Sequence, residues 1–202
     1  MRKPARLPVV IAFSMSLAFF LNQVIVFSGL IQLSETFQAY SDQLNALPPA
    51  TLILLALFVA PAIEEICFRG LLYGLPLFIS QKIRGERNLK LCITVGMVSS
   101  LLFGIFHGNI VQLVYAFFMG LGMCYTYECC GGLLWSILFH MFANFASVIC
   151  GSVPVFNTVA GGIILGVTAL YVAVMTAYRM RDVYYSRHGQ PENEASEVQP
   201  LS

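Results

Sequence analysis

Six long runs of apolar residues, separated by short polar segments, set the strongest limit on how this chain can fold. A transmembrane α-helix needs about 20 apolar residues to cross the hydrocarbon core of a bilayer. Inside that core every backbone polar group must find a partner, which a helix provides within itself. The sequence therefore predicts an all-α, polytopic transmembrane helix bundle of about six spans. The runs cover approximately residues 8–33, 47–79, 91–107, 110–127, 131–151 and 155–178.

The composition also favours a membrane protein. Hydrophobic residues make up 58% of the chain and charged residues only 10%, whereas a soluble domain carries roughly 25% charged residues. The formal net charge of +1 gives no reason to expect a nucleic-acid partner. We expect the chain to be surrounded by membrane lipids.

Basic residues predict the orientation in the membrane. They precede the first run, follow the last run, and cluster at 81–90 between the second and third runs. The positive-inside rule places these three regions, and with them both termini, in the cytoplasm. The basic start resembles a signal peptide, but the first run is long enough to span and no A-x-A-like cleavage site follows it, so we interpret it as the first transmembrane helix.

The chain divides into four predicted segments. Residues 1–46 hold the first span and a polar connection, 47–151 hold the core of the protein, 152–186 hold the last span, and 187–202 are a polar tail that we expect to be disordered. The six cysteines are predicted to be small packing residues rather than disulfide partners. Two of them, Cys129 and Cys130, lie at the end of a run, where acylation is an alternative.

Ionisable residues inside the apolar runs are the strongest pointer to function. Glu64, Glu65 and Arg69 lie deep in the second run, and His107 and His140 lie in or at later runs. A charge at the bilayer centre costs about 2.5–3.5 kcal/mol on insertion scales, so an ionisable residue there is a functional hypothesis by default.

The spacing of these residues suggests one shared site. Glu65 and Arg69 are four residues apart and can pair on one helix face, while Glu64 is turned about 100° away and has no local partner. The rise of a helix places Glu64 and His107 each about 25 Å from the basic loop at 81–90, and His140 at a similar depth. Phe103 with His107, and His140 with Asn144, are further pairs at four-residue spacing.

This combination of side chains is suited to hydrolysis of an amide bond. A carboxylate and a neutral imidazole can activate a water molecule, and His140 with Asn144 can donate hydrogen bonds to a developing oxyanion. The same Glu64, His107 and His140 could instead hold a zinc ion, although the H-E-x-x-H spacing of soluble zinc peptidases is absent. The sequence leaves open whether the cofactor is a divalent metal or none.

Other functions fit some of these features. The charged residues could form a structural ion network, or a Glu and His relay in a proton-coupled transporter. A non-catalytic immunity or membrane-interaction protein is a third alternative.

Three motifs resemble those of a known family. Residues 64–69 match EExxxR, 103–107 match FxxxH, and 140–144 match HxxxN, in that order and on separate apolar runs. Gly120, Gly122, Tyr125 and the stretch 132–136 also resemble the segment between the second and third motifs. The sequence is similar to the CPBP family, the CAAX protease and bacteriocin-processing group also called Abi, over roughly residues 50–150.

The resemblance implies an intramembrane endopeptidase that cleaves a membrane-associated or lipidated peptide or protein. It implies that Glu64 and His107 activate water, that His140 and Asn144 build the oxyanion site, and that Glu65 and Arg69 support them. The family has been described both as metalloproteases and as glutamate-type proteases, and we favour the metal-independent type because Glu64 with His107 suffices as a base. The short chain is typical of a bacterial member, which predicts a bacterial plasma membrane.

Overall fold

Six helices of the computed structural model, which describes residues 6–85 and 88–188, are long and apolar enough to cross a membrane. The all-α, six-span prediction is confirmed. Two short helices, Leu30–Leu33 and Glu35–Asn45, occupy the polar connection after the first span, and a 3₁₀ turn, Pro154–Asn157, precedes the last. The membrane helices are α1 (Arg6–Ser28), α2 (Pro49–Arg84), α3 (Leu89–Phe106), α4 (Ile110–Cys130), α5 (Leu133–Ser152) and α6 (Val159–His188).

Two predictions concern the ends of helices. Residues 187 and 188 of the predicted disordered tail continue α6, and residues 189–202 lie outside the described residues, as do residues 1–5 of the basic start.

All six cysteines are free thiols. Cys129 and Cys130 are 2% and 0% exposed, which leaves neither sulfur accessible for the acylation considered above.

Helix α2 departs from regular α-helical geometry on both sides of its two glutamates. It is π-helical over Leu55–Val59 and Ile66–Gly74 and α-helical between these segments. Pro61 contributes to the first irregularity, because proline has no backbone N–H to donate to the preceding turn. Such π segments are rare and frequently occur at functional sites.

Helix α4 lies at the centre of the bundle and packs against α1, α3, α5 and α6, while α2 packs against α3 and α5. The main apolar core lies between α1, α4 and α5 and includes Phe13, Met123 and Phe139. Large apolar side chains elsewhere, such as Phe78 at 62% exposure, face outwards. An outward apolar surface is expected for helices in lipid.

The turn between α3 and α4 brings His107 to the same end of the bundle as the start of α4. Gly108 has φ +72°, a left-handed conformation that glycine adopts without steric penalty. Asn109 then caps α4, its side chain accepting the backbone N–H of Gln112. The chain therefore reverses direction within three residues of His107.

Candidate active site

Glu65 is the hub of a buried hydrogen-bonded cluster between α2 and α5. Its Oε1 accepts from Arg69 Nη1 at 2.9 Å, and both side chains are fully buried, so the ion pair expected from their spacing is present. Its Oε2 accepts from the hydroxyl of Ser136. His140 Nδ1 lies 3.1 Å from Oε1. Three donors thus converge on one carboxylate, as a charge buried between helices requires.

The same contact determines which ring nitrogen of His140 is available. An ionised carboxylate only accepts hydrogen bonds, so His140 Nδ1 carries a hydrogen and donates it to Glu65. The other nitrogen, Nε2, lies 3.7 Å from Glu64 Oε2. This distance is too long for a direct hydrogen bond, but both atoms can bond to one bridging water. Glu64 is 19% exposed, and Glu65 is fully buried.

Arg69 is held by packing as well as by charge. Its guanidinium carbon lies 4.3 Å from the centre of the Phe103 ring, within the range of a cation–π contact. Gly120 of α4 leaves the necessary room, because a Cβ at that position would lie 2.6 Å from Arg69 Nη2. Within the described residues, Nε and Nη2 of Arg69 have no hydrogen-bond partner, so Glu65 supplies the main compensation for this buried charge.

His107 presents one nitrogen as a lone-pair acceptor. Its Nδ1 lies 2.8 Å from the carbonyl oxygen of Phe103, and a carbonyl only accepts, so this nitrogen carries the hydrogen. Nε2 is then the unprotonated atom of the neutral ring. The Phe103 ring packs edge-on against both imidazoles, with centroids 4.9 Å from His107 and 5.6 Å from His140. Phe103 therefore packs between the two imidazole rings.

A cavity of about 70 Å³ joins His107, His140 and Asn144, three of the residues predicted for the site. Its volume is sufficient for water molecules. The remaining lining residues come from α3, α4 and α5: Phe103, Gln112, Tyr115, Ala116, Met119, Met123 and Ala143.

Two predicted partnerships differ from the contacts in the structure. We expected Glu64 to pair with His107, but the imidazole that faces Glu64 among the described residues is that of His140, with Nε2 3.7 Å from Oε2, and Glu64 does not line the 70 Å³ cavity. Asn144 was predicted as an oxyanion donor, and one of the two N–H groups of its Nδ2 donates to the carbonyl oxygen of Ala56 on α2 at 2.8 Å.

The Asn144 contact has a local cause in α2. Ala60 donates its N–H to the carbonyl of Leu55, five residues earlier. In that register the next donor, to the carbonyl of Ala56, would be residue 61, which is proline and has no N–H. Asn144 supplies a donor to this carbonyl from the neighbouring helix, as a buried backbone oxygen requires.

Sequence reasoning did not identify Ser136 or Gln112 as members of the site. Ser136 precedes His140 by four residues and so shares its helix face, which is a usable signal. Gln112 is a polar residue in an otherwise apolar run directly after Asn109, a weaker signal because a single amide is common near the start of a helix.

The possible zinc set is not assembled. In the described part of the chain, no three His, Cys, Asp or Glu residues form a group able to hold a metal ion. Glu64 Oε2 lies 3.7 Å from His140 Nε2. The Nδ1 atoms of His140 and His107 contact Glu65 and the Phe103 carbonyl, which leaves each Nε2 as the ring nitrogen that could bind a metal. Glu64, His107 and His140 have the chemistry of a zinc ligand set but do not converge on one point within the described residues, and no catalytic step below depends on a metal.

Comparison with known proteins places these residues inside one family match. The model of the family described as "Type II CAAX prenyl endopeptidase Rce1-like" matches residues 46–146, a segment that contains all six predicted site residues. The chain is also 29% identical over 129 residues to the Bacillus subtilis (strain 168) protein named "Putative membrane peptidase YdiL". That alignment covers 64% of this chain and 48% of the relative, so the chain spans about half the length of the curated relative it matches. No solved structure matches the chain.

Proposed function

This chain belongs to the type II CAAX prenyl endopeptidase Rce1-like family, and on that basis we propose that it is an integral membrane endopeptidase in which Glu64 activates water without a metal. The substrate class we propose is a membrane-associated or lipidated peptide or protein. A site between membrane helices supports this class, because a substrate anchored in the bilayer can reach it from the lipid phase.

The observation that carries the proposal is the different environment of the two adjacent glutamates. Glu65 is fully buried and neutralised by Arg69, so its charge is already committed to structure. Among the described residues Glu64 has no arginine partner; it is 19% exposed and faces His140 Nε2 at 3.7 Å. Two neighbouring carboxylates can take different roles when their environments differ.

The proposed reaction begins with a water bound between Glu64 Oε2 and His140 Nε2. Glu64 accepts one proton from this water while the water oxygen attacks the carbonyl carbon of the scissile amide, giving a tetrahedral oxyanion. Glu64 then returns the proton to the departing amine nitrogen, and the C–N bond breaks to leave a free carboxyl end and a free amine. Glu65 holds His140 in the tautomer whose Nε2 accepts a hydrogen bond from the second hydrogen of the water, and that hydrogen stays on the oxygen as the hydroxyl of the new carboxyl end. His107, whose Nε2 also carries no hydrogen, lines the cavity that His140 lines.

The test uses the full chain purified and reconstituted in liposomes. The probes are internally quenched peptides of three kinds, bearing a farnesylated C-terminal CAAX sequence, a leader sequence or a membrane-anchored sorting signal. We expect the wild type to cleave at least one kind, and Glu64→Gln to abolish that cleavage. Glu35→Gln, the same chemical change at an exposed residue before α2, is the matched control and should retain full activity.

Other results would favour the rival functions. Full cleavage by Glu64→Gln refutes the assigned base. If no peptide is cleaved, yet Glu64→Gln and His140→Ala both abolish proton-coupled uptake, the protein is a transporter. If both variants retain biological activity in cells, a non-catalytic interaction role is favoured.

Two further measurements address the substrate and the metal. Mass spectrometry of membrane-protein termini, in cells with wild type or Glu64→Gln, should reveal ends that the wild type alone produces. Elemental analysis and a chelator titration of active protein test the metal-free mechanism. Loss of activity on chelation, with recovery on adding zinc, would contradict it.

A further inference from the structure

Gln112 is a polar residue of the catalytic cavity to which the proposed mechanism assigns no role. It lies in the first turn of α4, and its side chain lines the 70 Å³ cavity together with His107 and His140. An amide side chain offers one acceptor oxygen and two N–H donors. Which of these atoms is available to a substrate depends on how the amide is oriented.

Asn109 determines that orientation through a reciprocal capping contact. Its Oδ1 accepts the backbone N–H of Gln112 at 2.8 Å, so the other atom of its amide, Nδ2, must be the donor. Nδ2 bonds to the carbonyl of His107 and to the side chain of Gln112. The Gln112 atom facing this donor is therefore the oxygen, Oε1, in a contact between the two side chains.

The amide nitrogen of Gln112 is left to donate elsewhere. No hydrogen bond from Nε2 is formed within the residues that the structure describes. Asn144, the predicted oxyanion donor, already gives an N–H to Ala56. Of the two amide side chains on this cavity, Gln112 is the one without such a commitment.

We propose that Gln112 Nε2 donates a hydrogen bond to the carbonyl oxygen of the scissile amide and stabilises the oxyanion that forms when water attacks. This inference rests on the proposed peptidase function. Its physical basis is a partly buried donor held in place before reaction, on the cavity that it shares with His140 and His107. Such a donor acts mainly on the transition state, so its removal lowers kcat more than it changes KM.

The test compares Gln112→Glu and Gln112→Leu with wild type on a cleaved peptide. Gln112→Glu keeps an oxygen for Asn109 Nδ2 but replaces the donor, and we expect a fall in kcat of about 10²-fold with little change in KM. Gln112→Leu removes both atoms and should lose a similar factor. Gln32→Glu, the same change at an exposed residue between α1 and α2, is the matched control and should leave kcat unchanged.

A second variant tests the orientation itself. Asn109→Asp still accepts the Gln112 backbone N–H, but its second oxygen attracts Gln112 Nε2 and turns the amide round. We expect kcat to fall while thermal stability is maintained, and Asn109→Ser, which caps the helix without attracting the amide, should have a smaller effect on kcat.

The outcomes separate this inference from the proposed function. One outcome overturns the role of Gln112 and leaves the peptidase function intact. In that outcome Glu64→Gln abolishes cleavage, but both Gln112 variants keep a kcat within about threefold of wild type, a much smaller loss than an oxyanion donor should cause. A rise in KM with kcat unchanged also overturns it, because that pattern indicates ground-state binding. A wild-type protein that cleaves no peptide overturns both.

Discussion

Removing the charge of Glu65 while keeping its shape should destabilise the protein strongly. In Glu65→Gln the amide oxygen can take the place of Oε1 and accept from Arg69 and His140, and the hydroxyl of Ser136 can rotate to accept from the new amide nitrogen. The hydrogen bonds are thus largely conserved, and what is lost is the negative charge 2.9 Å from Arg69 Nη1.

The size of the effect follows from the burial of Arg69. Its side chain is fully buried, and within the described residues its Nε and Nη2 have no hydrogen-bond partner. The remaining compensation is the Phe103 ring at 4.3 Å, a contact that contributes about 2 kcal/mol when desolvated. Breaking a buried pair by neutralising one member costs about 3–5 kcal/mol, and we expect Glu65→Gln to fall in that range.

A double-mutant cycle isolates the contribution of charge. Arg69→Met alone leaves the Glu65 carboxylate buried without its cation and should also cost about 3–5 kcal/mol. The double variant removes both charges and should be more stable than either single variant. The assay is denaturant titration in mixed micelles, followed by fluorescence of Trp135, the one tryptophan of the chain. A double variant as unstable as the sum of the singles would refute the reasoning.

Three further changes test other contacts. Gly120→Ala should destabilise the protein by about 1–3 kcal/mol, because the new Cβ would lie 2.6 Å from Arg69 Nη2. At Gly151 a new Cβ would meet nothing within 4 Å, so Gly151→Ala should stabilise its helix by up to about 1 kcal/mol. Thermal unfolding of the two variants measures the difference. Ser136→Ala removes the donor to Glu65 Oε2 and should cost about 1–3 kcal/mol, measured against Ser152→Ala, whose hydroxyl bonds only to the exposed end of α5. Asn144→Leu should lower the free energy of unfolding by about 1 kcal/mol less in a Pro61→Ala protein than in wild type, because residue 61 then has an N–H for the Ala56 carbonyl. An equal loss of stability in both proteins would contradict the role assigned to Asn144.

The motifs predicted the membership of the site better than its internal partnerships. Glu64, His140 and the Glu65–Arg69 pair lie together in the structure, and His107 and Asn144 join His140 on one cavity. The expected partner of Glu64 was His107, and the structure pairs it with His140 instead. Spacing along one helix identifies neighbours on that helix, but partners on other helices depend on how each helix is rotated about its axis.

The irregular geometry of α2 explains why that rotation was not predictable. Hydrogen bonding in the two π-helical segments, Leu55–Val59 and Ile66–Gly74, runs from residue i to i+5. Each such segment turns the following residues to a face different from the one that a period of 3.6 residues predicts. The direction in which Glu64 points follows from these segments, and so does the lack of a donor within α2 for the Ala56 carbonyl.

The sequence by itself determined the number of membrane helices, because bilayer thickness fixes how many apolar residues a span requires. It also determined the Glu65–Arg69 pair, because residues four apart on a helix are neighbours whatever surrounds them. Only the tertiary structure decided that Glu65 orients His140, that Asn144 bonds to Ala56, and that Gln112 enters the cavity. These contacts join different helices, so they depend on packing and on local irregularities that no single-helix pattern contains.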